Sequence, residues 1–383
     1  MSETAERLAR ETIIMDSHID VPYRLQNRYE NVAAATESGD FDYPRARAGG
    51  LDAPFMSIYI PAELEEKGGA RELADSLIDM VEEIVARNPD KFALAYSSEA
   101  VRRNFAGGLI SLPMGMENGS AIEGKLENLK HFYQRGIRYI TLAHSKSNHI
   151  SDSSYDQNRQ WHGLSEFGKR LVVEMNNLGV MVDVSHISDV AFYQVLEISK
   201  VPVIASHSSA RHFTPGWERN LTDDMIARLA ENGGVIQINL GSSFINDASR
   251  IAGQAERGAR AAYFKESGTE ATSENEDAFT RKYRETHPYP FASLKNVLDV
   301  FDHVIGIAGV DHAGIGSDYD GVGDSLPEGL KDVASYPNLI RGLMERGYSE
   351  EDVRKILSAN LLRVWSEVEE YAKAPSAARS YSR

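Results

Sequence analysis

Four of the 11 histidines and four of the carboxylates follow short apolar runs in one repeated arrangement. Ile13–Met15 leads into Asp16-Ser17-His18-Ile19-Asp20, Leu109–Met116 into Glu117, and Tyr139–Ala143 into His144. Val180–Val184 leads into Ser185-His186, Val201–Ala205 into Ser206-His207, and Ile315-Gly316-Ser317 into Asp318. Imidazole and carboxylate together suit Zn²⁺, and also Mn²⁺, Co²⁺ or Fe²⁺. Residues i and i+2 of a strand face the same side, so His18 and Asp20 are placed to chelate one ion while Ile19 faces the wall. His186 and His207 lie 207 − 186 = 21 residues apart, about one strand–helix unit, which puts them on neighbouring strand ends. His18, Asp20, Glu117, His186, His207 and Asp318 are too many donors for one tetrahedral catalytic ion that keeps a position open. Two ions about 3.5–4 Å apart that share a carboxylate fit better. Three carboxylates against two divalent ions leave +1, which a bridging hydroxide would neutralise, and that hydroxide would be the nucleophile.

Each member also has an ordinary reading. A His-x-Asp pair is common by chance, and Glu117 could simply face the dipole of a following helix. His207 could belong to a polar turn. Asp318 and Asp320 could be turn formers or part of a calcium loop, although a third spaced oxygen ligand and a downstream Glu are missing. The joint pattern outweighs the separate readings. His131, His149, His162, His212, His287, His303 and His312 lie in helices, in loops or before a strand, and are read as structural or surface residues. Of these, His149 and His162 lie just past a strand end and are the ones placed to line a mouth, with Asn148, Asp152 and Asp156 of the same loop as further contacts.

The elements that must hold these residues alternate. Apolar runs, including Phe55–Ile60, Phe92–Tyr96 and Val235–Leu240, alternate with amphipathic segments such as Ala70–Ala86, Leu164–Leu178, Val190–Ile198 and Asp223–Glu231. That rhythm predicts parallel βαβ units, with nearly all-apolar strands buried on both faces. Strand candidates exceed the minimum for a barrel by one or two, and the surplus is expected to form an accessory hairpin. In a parallel barrel the C-terminal strand ends converge on one mouth, where barrel enzymes keep their active sites. Ser188 reads as an N-cap, Ser349 with Asp352 as a variant capping box, and Gly179 and Gly233-Gly234 as helix stops. From Ser242 to Pro290 the pattern breaks into a polar stretch, helical at Ala248–Lys265 and Glu274–Glu285, placed to act as a lid. Two helices, Glu350–Ala359 and Leu361–Ala372, and a polar tail end the chain. The expected fold is one α/β domain over residues 1–383, a distorted (β/α)8 TIM-type barrel with a polar helical insertion and C-terminal helices.

Composition removes other chemistries. With 57 acidic and 41 basic residues, the formal net charge of −16 gives no footprint for nucleic acid or anionic membranes. Cysteine is absent, which excludes thiolate nucleophiles, disulfides, iron–sulfur clusters and cysteine-held zinc. No apolar run reaches the roughly 18–20 residues of a membrane helix. The polar Met1–Arg10 has no signal-peptide core, so the protein is expected in the cytoplasm, or exported if a leader has been trimmed.

These motifs, with Gly115-Met116-Glu117-Asn118-Gly119, Thr141-Leu142-Ala143-His144-Ser145, Asp183-Val184-Ser185-His186, Ser206-His207-Ser208-Ser209-Ala210, Arg219-Asn220-Leu221-Thr222-Asp223-Asp224 and Gly314-Ile315-Gly316-Ser317-Asp318-Tyr319-Asp320-Gly321, give the chain a resemblance from Ile14 to about Val368. It resembles the membrane (renal) dipeptidases of the amidohydrolase superfamily. The resemblance implies two Zn²⁺ ions, one held by His18 and Asp20 and the other by His186 and His207, with Glu117 bridging. It implies Asp318 at the first ion as proton shuttle, His144 on the scissile carbonyl or oxyanion, and Arg219 as clamp for the substrate's free carboxylate. The implied activity is hydrolysis of dipeptides, including ones with a C-terminal D-residue. Opening of β-lactams, hydrolysis of N-acyl amino acids, and a catalytically silent barrel are the alternatives. The expected partner is a small peptide substrate, with no nucleic acid and no membrane anchor evident; a homodimer is left open.

Overall fold

The computed structural model describes residues 2–375. Among the described residues ten strands form: β1 Ile14–Ile19, β2 Leu51–Tyr59, β3 Phe92–Leu94, β4 Ile110–Leu112, β5 Met114–Glu117, β6 Ile137–Thr141, β7 Met181–Asp183, β8 Ile204–Ser208, β9 Val235–Ile238 and β10 Ala313–Ile315. Eight of them make one parallel sheet in the order β1-β2-β5-β6-β7-β8-β9-β10. The last strand returns to the first just beyond its end: Asp318 N–H donates to His18 O at 3.1 Å, and Asp20 N–H to Tyr319 O at 2.9 Å. The sheet is therefore a nearly closed barrel, a distorted TIM barrel with helices outside it. Its closing seam carries three of the expected metal ligands.

Sequence explains the elements locally. β5 to β10 are buried along their whole length, as apolar strands with helices on one side and a packed interior on the other require. Ser188 caps its helix by accepting from Ala191 N–H at 3.2 Å, Ser349 and Asp352 form the capping box, and Gly179 ends its helix in the left-handed region at φ 90°. One core cluster takes Met15, Phe55, Tyr139, Met181 and Val235 from the strands and packs them with Trp365 of the helix Asn360–Lys373. The Phe55 ring lies 5.2 Å from both the Tyr139 and the Trp365 rings.

Four expectations change. The accessory pair β3–β4 is parallel rather than a hairpin, because the helix Ser98–Ala106 carries the chain back between its strands. The apolar run Leu109–Met116 is two strands, since Pro113 has no N–H to donate and breaks the ladder between them. The run at Val201–Ala205 becomes a strand only from Ile204, beyond Pro202, and it extends through His207. The two C-terminal helices are joined without a break by a π-turn, Lys355–Ala359, followed by Asn360, whose side chain donates to Val310 O at 2.7 Å and Ala313 O at 2.8 Å. The polar tail expected after this helix lies, from residue 376 on, outside the described residues.

The stretch from Ser242 to Pro290 forms helices Ser242–Ile245, Asp247–Ser267 and Ser273–Arg284. The last two supply one wall of a cavity of about 630 Å³ at the barrel mouth. Among the described residues no helix is long and apolar enough to cross a membrane.

Candidate metal centre

The residues expected at the strand ends meet at the floor of this cavity. Glu117, the last residue of β5, divides its two carboxylate oxygens between two groups. Its Oε1 lies 3.2 Å from Nε2 of both His186 and His207 and 3.5 Å from Nε2 of His144. Its Oε2 lies 3.4 Å from His18 Nε2, which is itself 3.5 Å from Asp20 Oδ2. Asp318 joins His18 and Asp20 across the barrel seam, with donor atoms all within 4.8 Å of one another. All but His144 are buried, and His144 keeps its side chain 21% exposed to the cavity.

Close backbone control makes this convergence. His186 (φ 71°) and Asp318 (φ 63°) both occupy the left-handed region, where L-residues are strained by about 1–3 kcal/mol. That turn aims the side chain after the strand has ended. Gly321 leaves room for the acids: a Cβ there would lie 2.2 Å from Asp20 Oδ2 and 2.3 Å from Asp318 Oδ1. No residue with a side chain fits that place while the two carboxylates face each other.

Hydrogen bonds behind the donors set their tautomers. Ser206 Oγ donates to Asp183 Oδ2 at 2.6 Å, so its one proton is used. It must then accept from His207 Nδ1–H at 2.7 Å, which leaves the Nε2 lone pair of His207 facing the cluster. Tyr139 OH sits 2.8 Å from His18 Nδ1, while His18 Nε2 is buried without any hydrogen-bond partner. Asp318 Oδ2 accepts from Asn239 Nδ2 at 2.8 Å. Sequence reasoning missed Tyr139, Asp183 and Asn239. Asn239 follows β9 directly, as Glu117 ends β5, so the strand-end rule could have found it; Tyr139 reads as ordinary core.

The electrostatics call for cations. Burial, then the charges of Asp20 and Glu117, push the Asp318 carboxyl well above the usual carboxylate range. Burial alone would lower His18, yet Tyr139, Glu117 and Asp20 raise it well above its usual value. Burial holds His186 and His207 well below the usual imidazole range, aided by Arg219 at His186 and by His18 at His207. Neutral imidazoles whose Nε2 atoms converge 2.7 Å apart, a buried His18 ring nitrogen without a hydrogen-bond partner, and three facing carboxylates fit divalent metal ions.

Arg219 is fully buried behind this floor and is not among the residues that line the cavity. Its Nη1 donates to Ser208 Oγ at 2.9 Å and its Nη2 to His207 O at 2.7 Å, and its Nε–H has no partner. His149, set to line the mouth in the sequence reading, is held by Glu65 Oε1 at 2.8 Å, and neither it nor His162 lines the cavity. Asn148, Asp152 and Asp156 brace their own loop: Asp152 accepts from Gln160 N–H at 2.7 Å, and Asp156 from Ser147 N–H at 2.9 Å. From that loop it is Tyr155 that lines the cavity, its ring centroid 5.8 Å from that of His186.

Known proteins share this architecture. A crystal structure of the probable dipeptidase PvdM from Pseudomonas aeruginosa superposes with a TM-score of 0.83 at 27% identity, covering 97% of this chain and 99% of that one. A metallopeptidase from Rhodobacter sphaeroides, solved with a phosphinate mimic of the dipeptide L-Ala-D-Ala, gives 0.76 at 25% identity over 94% of this chain and all (100%) of that one. Dipeptidase 3 of Mus musculus is 30% identical over 379 residues, 97% of this chain and 67% of the mouse protein. The family profile described as membrane dipeptidase (peptidase family M19) matches residues 2–379. With that match over almost its whole length, and metal-donor groups gathered at the barrel mouth, the chain belongs to the membrane dipeptidase family of metal-dependent hydrolases.

Proposed function

We propose that the chain hydrolyses the peptide bond of dipeptides, including ones with a C-terminal D-residue, at two zinc ions. Glu117 would serve both ions, His18 and Asp20 would hold one with Asp318 beside it, and His186 and His207 would hold the other. The observation that carries this reading is the division of Glu117: one oxygen faces His186 and His207, the other His18. When bound, the ions lower the pKa of water towards 7 and polarise a carbonyl oxygen.

The side chains do the rest. Asp318, turned into the cavity and steadied by Asn239, takes the proton of the attacking water and passes it to the departing nitrogen, since an amine leaves poorly as an amide anion. Its anchoring through Oδ2 leaves Oδ1 free for that exchange. His144 donates to the oxygen on which charge builds. Burial lowers its pKa and favours the neutral ring, which still carries one N–H. Arg219 holds the free carboxylate of the substrate with its unpartnered Nε–H, a charge-assisted contact that water does not weaken at such depth. The dipeptide mimic bound by the Rhodobacter sphaeroides relative supports the substrate class and the D-residue.

The test combines metal analysis with a screen of L-Xaa-L-Xaa and L-Xaa-D-Xaa dipeptides and their C-terminal amides. Two zinc ions per chain and hydrolysis of free but not amidated dipeptides are expected. Less than one zinc after reconstitution, or no dipeptide hydrolysed, contradicts the reading. Equal turnover of the amides removes Arg219 from it.

A further inference from the structure

The helical wall from the Ser242–Pro290 stretch brings three arginines to the cavity, Arg257, Arg260 and Arg284. Two are neutralised. Arg284 Nε lies 2.8 Å from Glu256 Oε2 and its Nη1 3.0 Å from Asp324 Oδ2, while Arg260 Nη1 lies 3.7 Å from Glu276 Oε2. Arg257 makes no ion pair or hydrogen bond with the described residues. Its guanidinium lines the cavity beside Gly253, where the missing side chain lets Ser243, Arg257 and Tyr289 approach one point closely. A Cβ there would meet Ser243 Oγ at 3.1 Å, Arg257 Nη1 at 3.4 Å and the Tyr289 ring at 3.6 Å.

Ser243 and Tyr289 are buried, with their hydroxyls 3.1 Å apart, so one proton joins them and the other is free to be donated. This part of the cavity lining thus offers a guanidinium and a hydroxyl donor close together, which suits a carboxylate. Most cavity acids do not compete for it. Asp20, Glu117 and Asp318 face the metal positions, Asp320 faces Arg24 Nε at 3.1 Å, and Glu256, Glu276 and Asp324 face the other two arginines. Asp277, exposed on the same wall, faces neither the metal positions nor an arginine or lysine in any ion pair among the described residues, and it would favour the opposite charge.

We infer that Arg257, with Ser243 and Tyr289, forms a subsite for an acidic side chain, so that dipeptides carrying an aspartyl or glutamyl residue are preferred. The inference rests on the reading of the chain as a dipeptidase. Arg219 takes the main-chain carboxylate, and Arg257 takes the second, side-chain carboxylate further out along the wall.

The test measures kcat/KM of the zinc-loaded protein for L-Ala-L-Ala, L-Glu-L-Ala, L-Ala-L-Glu, L-Lys-L-Ala and L-Ala-L-Lys, in the wild type, R257Q and R257K. One of the acidic dipeptides is expected to exceed L-Ala-L-Ala by about tenfold, the scale of one charge-assisted contact. R257Q should remove most of that ratio through KM, R257K should keep part of it, and added salt should shrink it in the wild type. Arg257 has no partner to lose, so R257Q should fold, as a thermal melt verifies. Turnover of L-Ala-L-Ala with no acidic preference, or a preference that survives R257Q, overturns the subsite and leaves the dipeptidase reading standing. A preference for the lysyl dipeptides overturns it in favour of Asp277. No turnover of any dipeptide overturns the dipeptidase reading and the subsite with it.

Discussion

The floor and the wall of one cavity are built in opposite ways. On the floor, His18, Glu117 and His207 are buried at 0%, 3% and 1% exposure. Behind them stand buried partners: Tyr139 at His18, Asp183 through Ser206 at His207, and Asn239 at Asp318. On the wall, charged side chains meet in ion pairs such as Arg260–Glu276 and Arg284–Asp324. Exposed pairs of this kind contribute about 0–1 kcal/mol each, whereas a buried polar network left half-satisfied costs far more. The floor can hold its donors in place before any ion arrives. Apart from the largely buried Arg284–Glu256 pair, the wall can change sequence at little cost, which suits the part of a site that meets variable side chains.

Variants test that contrast, from the largest effect to the smallest. Glu117→Gln removes the shared donor, so metal content should fall and kcat/KM should drop by at least about 10⁴-fold, as assayed on a free dipeptide. Asp318→Asn should keep more than half of the metal while kcat falls by about 10²–10⁴-fold, the range of a lost general acid–base. Near-normal turnover would exclude a proton shuttle there. Tyr139→Phe touches no substrate, yet loss of the contact behind His18 should weaken metal affinity by about 10–100-fold, read by competition with a chelator. Arg260→Gln, on the wall, should change unfolding free energy by less than about 1 kcal/mol in a denaturant melt. If Arg260→Gln disturbed metal affinity as much as Tyr139→Phe, the division between floor and wall would fail.

The donors were legible in the sequence because of where they stand. A polar residue directly after a β-branched run must lie at a strand end, and parallel strands put their ends at one mouth. The barrel was legible for the same reason. Proline accounts for several misread strand bounds: Pro54 lies inside β2, which begins at Leu51 rather than Phe55, and the β1–β2 register is irregular beside it. A strand tolerates proline where its missing N–H is not needed, and no sequence pattern reveals that locally. Tyr139 escaped because its ring packs as core with Phe55, and only its hydroxyl reaches the site. Arg257 and Gly253 escaped because a polar helix with charges on several faces gives no period that marks the face over a cavity.

The central claim is that two ions share Glu117. Stepwise addition of zinc to metal-free protein, with bound metal and L-Ala-L-Ala hydrolysis measured on the same samples, tests it most directly. The account predicts that binding and activity level off together at two ions per chain, and that Glu117→Gln abolishes the plateau. Full activity with one ion per chain, or a Glu117→Gln variant that still binds two, would contradict it.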